Sequence, residues 1–593
     1  MVWRRALFAV ALCLSAPRGG AQTPAVTLER TDAGWRLLRS GEEYLIRGAG
    51  GADYLDTLAA AGGNSIRTWD AKGIDNLLDQ AHELGLSVTV GLWLGQPRQG
   101  FDYRDASAVG EQLDRVRAYV ERYRAHPAVL MWGLGNEIEG DGDDAAVWLA
   151  LNRAAALVHE LDPDHPTMTV IAEIGGEKVR NLHRLCPEID IVGINSYAGM
   201  ASLAERYGQA GGVKPYVITE FGPPGHWEVG ATDWGAPLEP SSTEKEAWYR
   251  RGYEAAVVGS SGMCLGSYAF LWGHKQEVTP TWYGMFLPDG ARLGAVDAMS
   301  ELWSGQAPAN ACPRINELLV DASSGLQPGQ PVTATLDAED PDGDALTVSW
   351  TLLAESGHLG VGGDPQQATA AFDEAVVDAE GPEARVKMPK SGGGYRLFAF
   401  VRDGHGAAVA NVPLHVDGPP PTFAPPRAAL PLLLYADGLE TPPYIPSGWM
   451  GRTDAIALDD RCATQPHTGA TCLKVEYKAG EGWGGVAWQS PEGDWGDRPG
   501  GLDLTGARRL MLWARGERGG ETVEFKLGIL GPEKAFPDSA SASSGAVRLT
   551  QDWQQLAIPL DGKDLSCLKT AFVWVIAGQG APVTLYLDDI RYE

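Results

Sequence analysis

The sequence has few cysteines, few basic residues and no long apolar run beyond its amino terminus. Its 593 residues include only 7 cysteines, none in the C-x-x-C spacing of common zinc and redox sites, so no zinc site is expected. Lys and Arg total 48 against 77 Asp and Glu, and the net charge of −29 argues against a nucleic-acid partner. The same charge makes a polyanionic glycan a less favoured substrate. The lack of further apolar runs predicts no membrane span.

The amino terminus has the pattern of an export signal. Arg4 and Arg5 precede the apolar run "ALFAVALCLSA", which gives way to "PRGGAQ". This pattern predicts a signal peptide over residues 1–21 and a secreted or periplasmic protein. In an oxidising compartment, Cys462 and Cys472 are close enough in sequence to close a loop, and we expect a disulfide between them. The pairing of the other cysteines is not determined by their spacing.

The first half of the chain alternates short apolar runs with amphipathic stretches. Stretches such as "IDNLLDQAHELG" and "EQLDRVRAYVERYRAH" predict helices between the runs. Eight such units before residue 305 predict a (β/α)8 barrel over residues 22–305. The eight runs are "YLIRGAGG", "SIRTWD", "SVTVGLWLG", "VLMWGLGNE", "TMTVIAEIG", "DIVGINSYAG", "PYVITEFGPPG" and "CLGSYAFLWG".

The second half of the chain reads as all β. Residues 313–417 alternate polar and apolar positions, which predicts a small β-sandwich resembling Ig-like or PKD-like modules. Its loop with Asp340, Asp342 and Asp344 is typical either of an acidic hairpin turn or of a calcium loop. A Pro-rich linker over 418–431 precedes a predicted β jelly roll over 432–593 that resembles carbohydrate-binding modules. Four of its tryptophans are candidates for sugar stacking or for the core: Trp449, Trp483, Trp488 and Trp495.

Two glutamates lie at the carboxyl ends of predicted barrel strands, the fourth and the seventh in chain order. Glu137 ends the fourth run, "VLMWGLGNE", and Glu220 ends the strand-like part of the seventh, "PYVITE". Catalytic groups of parallel barrels sit at the carboxyl ends of the strands, and these two strand ends face each other across the barrel mouth. Cleavage of a glycosidic bond needs a proton donor and a carboxylate that meets positive charge at the anomeric carbon. Either glutamate alone could be a surface charge, but the pair predicts a glycosidase site.

The text around these glutamates resembles a known family. "GNE" after the fourth strand and "TEFG" after the seventh are similar to clan A of the glycoside hydrolases, and "RGAGG", "NSIRTWD" and "GLGNEIEG" resemble the barrel of family 2. The resemblance covers roughly residues 40–305. It implies a retaining mechanism with Glu137 as acid/base and Glu220 as nucleophile, and no cofactor in catalysis.

The resemblance also assigns supporting roles. Arg67 would hold the nucleophile carboxylate, Asn136 would contact the sugar 2-hydroxyl, Tyr197 would hydrogen-bond the nucleophile, and Trp272 would floor the reacting sugar. His226 and Trp227 follow the nucleophile strand and are candidate sugar contacts. Each of these side chains could instead serve packing or a surface ion pair. Weaker candidates at strand ends are Asp70, Trp93, Glu139, Glu173, Lys275, Gln276 and Glu277.

The order of the domains differs from that typical of family 2, whose β-sandwiches precede the barrel. The substrate and the choice between exo and endo action therefore stay open.

The glutamate pair, the net charge and the export signal together predict a secreted retaining β-glycosidase for a neutral poly- or oligosaccharide, such as a β-glucan. Two alternatives stay open: a β-glycan transglycosylase of the cell envelope and a non-catalytic glycan-binding protein. By analogy with related modules, Asp437, Glu440 and Asp589 are candidates for a structural calcium site in the jelly roll.

Overall fold

The computed structural model describes residues 25–593 except 261, 357–362, 364–365, 367, 419–424, 437–438, 440–441 and 533. The chain divides after Gly418 into two compact units. The predicted signal peptide and two of the calcium candidates, Asp437 and Glu440, lie outside the described residues. Within the described part, no helix combines the length and the apolarity needed to cross a membrane.

A β-hairpin precedes the barrel and covers its amino-terminal end. It consists of β1 (Val26–Thr31) and β2 (Gly34–Arg39), with the short β3 (Glu42–Glu43) alongside. Val26 and Leu37 pack in one cluster with barrel residues such as Ile46 and Met131. The sequence pattern did not predict this hairpin.

Eight parallel strands close into a barrel in chain order, as predicted. Its fourth strand is buried along almost its whole length, since a parallel barrel strand is covered on both faces. This burial explains the continuous apolar run that precedes Glu137. The strands are β4 (Ile46–Gly50), β5 (Ser65–Arg67), β6 (Ser87–Leu92), β7 (Val129–Asn136), β8 (Thr167–Ala172), β9 (Ile191–Asn195), β10 (Tyr216–Phe221) and β11 (Cys264–Ala269).

One helix follows each barrel strand. Side-chain caps start several of them: Asp105 accepts hydrogen bonds from the amides of Ser107 and Ala108, and Ser241 forms a capping box with Glu244. The helices are α1 (Leu55–Ala60), α2 (Asp75–Glu83), α3 (Ala106–Tyr123), α4 (Ala145–Leu161), α5 (Lys178–Leu185), α6 (Leu203–Gln209), α7 (Ser242–Tyr253) and α8 (Gly294–Ser304).

The sandwich belongs to the same compact unit as the barrel. Its two antiparallel sheets have the orders β12-β13-β16-β15 and β14-β17-β18 and enclose one apolar core. The Asp340 carboxylate accepts hydrogen bonds from the amides of Asp342 and Asp344, an arrangement typical of an acidic turn. The strands are β12 (Arg314–Val320), β13 (Pro331–Glu339), β14 (Thr347–Ala354), β15 (Val376–Glu380), β16 (Glu383–Lys387), β17 (Gly393–Arg402) and β18 (Ala407–Val416).

The second unit consists of two antiparallel sheets around a single core, and the predicted fold class is confirmed. One sheet has the order β21-β22-β29-β24-β27 with β19 against β29, and the other has the order β20-β23-β28-β25-β26. The strands are β19 (Leu432–Tyr435), β20 (Ile445–Gly451), β21 (Ile456–Cys462), β22 (Cys472–Tyr477), β23 (Trp483–Gln489), β24 (Arg509–Gly516), β25 (Thr522–Leu527), β26 (Ala542–Arg548), β27 (Gln554–Pro559), β28 (Thr570–Ala577) and β29 (Val583–Tyr592).

The predicted disulfide between Cys462 and Cys472 is wrong for this structure. The two residues do lie opposite each other on β21 and β22, but both thiols are free. The Cys472 Sγ points to the main-chain oxygen of Cys462, at 3.5 Å, and so makes a hydrogen bond in place of a sulfur–sulfur bond.

The remaining calcium candidate, Asp589, already has protein partners. Its carboxylate accepts a hydrogen bond from the Thr468 hydroxyl at 3.1 Å and lies 3.2 Å from the His467 Nδ1. Among the residues that the structure describes, no three His, Cys, Asp or Glu side chains gather closely enough to hold a metal ion. The calcium site stays a prediction, since two of its three candidate ligands are not described.

Candidate active site

Glu220 lies in β10 with both carboxylate oxygens occupied by donors. Its Oε1 accepts hydrogen bonds from the Arg67 Nη1 and the Trp69 Nε1, each at 3.0 Å. Its Oε2 accepts one from the Tyr197 hydroxyl at 2.9 Å. The side chains of Glu220 and Arg67 are only 9% and 3% exposed, so their ion pair is shielded from water. These three donors fix the orientation of the carboxylate.

Glu137 follows β7 directly and has a different environment. Its Oε1 accepts a hydrogen bond from the Asn195 Nδ2, at 2.6 Å. Burial, and next the negative charge of Glu220, raise the pKa of Glu137 to about 7, although the hydrogen bond from Asn195 acts in the opposite direction. Glu137 also has a φ of 53°, in the left-handed region that non-glycine residues rarely adopt. Strained backbone of this kind is concentrated at functional sites.

An amide network joins the two glutamates. The Arg67 Nη2 donates to the Asn136 Oδ1 at 2.6 Å, and the Asn195 Nδ2 lies 3.4 Å from the same oxygen. The Asn195 Oδ1 accepts a hydrogen bond from the Thr219 hydroxyl at 2.8 Å, next to Glu220 in β10. Because the carboxamide oxygen of Asn136 is occupied, its Nδ2 is the group left to donate to a substrate hydroxyl.

Aromatic rings pack around Tyr197 and Trp69, two of the donors to Glu220. The Tyr197 ring packs edge-on against Phe270 at 6.2 Å and lies 5.7 Å from Tyr283. Phe270 in turn packs edge-on against Trp69, whose indole donates to Glu220. Phe270 and Tyr283 are almost completely buried, and Trp69 and Tyr197 pack against the cluster that they form.

The prediction that Trp272 floors the sugar is wrong. Trp272 is 1% exposed, donates its Nε1 to the main-chain oxygen of Tyr54, and packs against Phe286 and Trp303. These contacts place its ring in the core between the barrel and α8. Phe270, directly after the eighth barrel strand, β11, is the aromatic residue that contacts Trp69 and Tyr197, the donors to Glu220.

His226 and Trp227 lie beside the site. The Trp227 ring packs perpendicular to Tyr197 at 5.9 Å and is 60% exposed, which suits a ring that contacts a ligand. His226 packs against Trp227 at 4.9 Å, and burial lowers the pKa of its imidazole. Both residues are therefore near Tyr197, but neither contacts a glutamate of the pair in the described contacts.

The weaker candidates separate into residues held in ion pairs and residues at open positions. Glu139 is buried and pairs with Lys178 at 3.0 Å, so it serves the structure of the loop rather than facing solvent. Glu173 pairs with Arg206 and accepts a hydrogen bond from Ser196. Lys275 and Glu277 pair with each other at 2.6 Å, and Asp70 and Trp93 are exposed, while Gln276 is half-buried.

Sequence reasoning missed Trp69, Asn195 and Phe270. Trp69 follows Arg67 by two residues, and Asn195 precedes Tyr197 by two. Each pair lies within one run read as a strand, "SIRTWD" or "DIVGINSYAG", although the strands β5 and β9 end at Arg67 and Asn195. That period of two was a usable signal. No such signal identified Phe270. Phe270 and Trp272 are two residues apart after the same strand, so spacing favours both equally, and only their packing distinguishes them.

The family comparison concerns the segment that carries both glutamates. Residues 79–232 match the model described as "Glycosyl hydrolases family 2, TIM barrel domain". The predicted resemblance to that barrel is confirmed for this segment. A search among curated proteins gives no match to this chain.

Several solved structures resemble the chain weakly. The β-D-glucuronidase of Dictyoglomus thermophilum has 19% identity and a TM-score of 0.38 over 47% of this chain and 54% of that one. Bacteroides uniformis β-glucuronidase 2, bound to cyclophellitol-6-carboxylate aziridine, has 15% identity and a TM-score of 0.38 over 96% and 68%. The family 2 β-galacturonidase of Eisenbergiella tayi, bound to galacturonate, has 17% identity and a TM-score of 0.38 over 48% and 54%. The chain spans about half the length of the first of these structures. Likenesses this weak carry no information about its substrate.

Proposed function

We propose that the barrel is a retaining β-glycosidase with Glu220 as nucleophile and Glu137 as acid/base. The observation that carries the proposal is the contrast between two strand-end glutamates. Arg67, Trp69 and Tyr197 all donate to Glu220, so three hydrogen bonds hold its carboxylate in one orientation. Glu137 has a pKa raised to about 7 and is largely protonated in mildly acidic solution. Carboxyl groups in opposed environments are typical of an acid and a nucleophile in one site.

The first chemical step forms a glycosyl-enzyme ester. A Glu220 oxygen attacks the anomeric carbon while the carboxyl of Glu137 gives its proton to the departing glycosidic oxygen. The carbon–oxygen bond to the leaving group breaks, and the aglycone departs as an alcohol. In this step Asn136 donates its Nδ2 to the sugar 2-hydroxyl, a hydrogen bond that strengthens in the transition state. The occupation of its Oδ1 by Arg67 supports this role.

The second step reverses the role of Glu137. Once Glu220 is an ester it carries no charge, so the negative neighbour that raised the pKa of Glu137 is gone. Glu137 is then a carboxylate that can remove a proton from water as the water attacks the anomeric carbon. The ester bond breaks, Glu220 regains its charge, and the product keeps the β configuration because two inversions have occurred.

We further propose a neutral β-linked glycan as substrate and a site of action outside the cytoplasm. The net charge of −29 disfavours a polyanionic glycan, and the apolar stretch after Arg5 supports export. A panel of β-linked glycosides tested with the purified protein, with NMR of the first-formed anomer, checks both the substrate and the mechanism. The β-anomer is expected first. An α-anomer as first product would exclude the double displacement. Products extended by an added acceptor sugar would indicate transfer in place of hydrolysis.

We propose that the second unit binds glycan through exposed tryptophans. Trp449 on β20 and Trp483 on β23 are 41% and 48% exposed, whereas Trp488 is buried in the core and Trp495 is half-buried. Sugar rings pack on exposed aromatic faces of this kind. The four tryptophans therefore do not all serve one platform.

Replacing both Trp449 and Trp483 with alanine is expected to weaken binding to insoluble polysaccharide while small-substrate turnover persists. The measurement is depletion of the protein from solution by the polysaccharide. Leu433→Ala, which removes an exposed apolar side chain of the same unit, is the matched control and should bind normally. Equal depletion of the double variant and the control would remove glycan binding from these two rings.

A further inference from the structure

A buried network of hydrogen-bonded polar side chains runs from the sandwich into the barrel. Arg396 on β17 is 1% exposed, and three of its nitrogens have partners. It donates to both carboxylate oxygens of Glu355 at 2.9 and 2.8 Å, to the Asn411 Oδ1 at 2.7 Å, and to the main-chain oxygen of Pro237 at 2.8 Å. Pro237 lies in the loop after β10, the strand that carries Glu220. A sandwich side chain thus holds a loop of the barrel mouth.

The buried network continues from Arg396 through Asn411 to the loop after β11. The Asn411 Nδ2 donates to the Glu239 Oε2 at 2.8 Å. The Glu239 Oε1 accepts hydrogen bonds from the Thr281 hydroxyl at 2.8 Å and from the Lys245 ammonium group at 2.5 Å. Lys245 also donates to the main-chain oxygen of Thr281, at 2.7 Å. The loops after β10 and β11 therefore share one buried anchor.

The anchored loop leads directly to the rings around Glu220. Trp282 and Tyr283 follow Thr281, and the Trp282 Nε1 donates to the main-chain oxygen of Pro224 at 3.0 Å. The Tyr283 ring lies 5.7 Å from Tyr197, whose hydroxyl donates to Glu220. Each step from Arg396 to the carboxylate is a hydrogen bond, a peptide connection or a ring contact between described residues.

A contribution to stability alone is a weak explanation for the buried network. Burying an ion pair is costly, and apolar side chains of similar volume often replace such a pair without loss of stability. Buried polar groups with fixed partners do, however, specify one arrangement of the elements that they join. A network that fixes two loops of the mouth to the sandwich fits a positioning role.

We propose that Asn411, with Arg396 and Glu239, positions Tyr283 and Tyr197 and thereby the Glu220 carboxylate. The sandwich is then a working part of the catalytic unit, although it follows the barrel in the chain. Asn411 is the central positioning residue because its carboxamide hydrogen-bonds both Arg396 and Glu239. The proposal rests on the proposed function, since it concerns the orientation of the nucleophile.

The test is Asn411→Leu in the full chain, which removes both hydrogen bonds at similar volume. Since misplacement by about 1 Å can cost 100-fold in rate, we expect kcat to fall between about tenfold and 100-fold with KM little changed. If Asn411 acts through Tyr197, the variant that combines Asn411→Leu with Tyr197→Phe should be no slower than Tyr197→Phe alone. Effects that multiply would overturn the route through Tyr197.

Arg402→Gln is the matched control. Arg402 lies on the same strand as Arg396 and pairs with Asp289 of the barrel, at 2.8 Å, but the Arg402 side chain is half-buried and that of Asp289 is exposed. Its loss should leave kcat within about twofold, because exposed ion pairs contribute little. An equal fall of kcat in Arg402→Gln and Asn411→Leu would contradict a specific role for the buried network.

A crystal structure of Asn411→Leu separates this proposal from the proposed function. We expect the rings of Trp282 and Tyr283 to move relative to the native protein, and unmoved rings would overturn the positioning role. This result needs no substrate. Absence of turnover in the native protein over the glycoside panel would instead count against the proposed function alone.

Discussion

Glu220→Ala is expected to abolish turnover, with kcat lowered by about 10⁴-fold or more, the scale seen when a covalent nucleophile is removed. The reason is that no other described carboxylate receives donors from Arg67, Trp69 and Tyr197. Without the Glu220 oxygen, no ester forms at the anomeric carbon. The measurement is kcat on a β-glycoside with an activated aryl leaving group, with the melting temperature recorded to show that the variant folds.

Added azide distinguishes loss of the nucleophile from loss of the site. In Glu220→Ala the missing carboxylate leaves room for a small anion, which can attack the anomeric carbon from the same face. A single inversion would then give the α-glycosyl azide. Glu173→Gln removes another carboxylate at a barrel strand end and should cost at most about tenfold. Undiminished turnover in Glu220→Ala would exclude Glu220 as the nucleophile.

The barrel and its central pair of glutamates were predictable because they depend on local patterns. Each barrel strand is a short apolar run, and counting these runs gives Glu137 and Glu220 their ranks. Rank decides position in a closed parallel barrel, since strands in chain order are neighbours in space. Arg67 and Tyr197 needed the family resemblance as well, because polar residues at strand ends are common.

The errors concern contacts that chain order does not determine. Trp272 and Phe270 both follow β11 closely, and only three-dimensional packing directs the tryptophan to Trp303 and the phenylalanine to Trp69. Cys462 and Cys472 are correctly opposed on adjacent strands, but opposition does not fix the direction of a thiol. The link from Arg396 to Pro237 joins residues 159 positions apart, and no sequence period predicts it.

The activity is expected to fall as the pH rises through about 7, because Glu137 must be protonated to release the aglycone. Its pKa is raised to about 7, first by burial and next by the charge of Glu220. A raised pKa of an acid means that the proton is bound below that pH and lost above it. The alkaline limb of kcat/KM should therefore report Glu137, and in Glu137→Gln that limb should disappear.

The size of the loss in Glu137→Gln should depend on the leaving group. General acid catalysis contributes about 10²–10⁴-fold, so a substrate with a sugar as leaving group should lose that much. A nitrophenyl glycoside, which needs no proton to depart, should form the glycosyl-enzyme at nearly the native rate. Equal losses for both leaving groups would contradict the role of Glu137 as acid and assign it to binding.

The coupling between the two glutamates can be measured without turnover. Glu220→Gln keeps the shape of the side chain but removes the negative charge that helps to raise the pKa of Glu137. The pKa of Glu137, followed by ¹³C NMR of labelled glutamate, should therefore be lower in Glu220→Gln than in the native protein. It should remain above that of an exposed glutamate, because burial is the larger cause and persists in the variant. An unchanged pKa would mean that burial acts alone and that forming the ester on Glu220 does not convert Glu137 from acid to base.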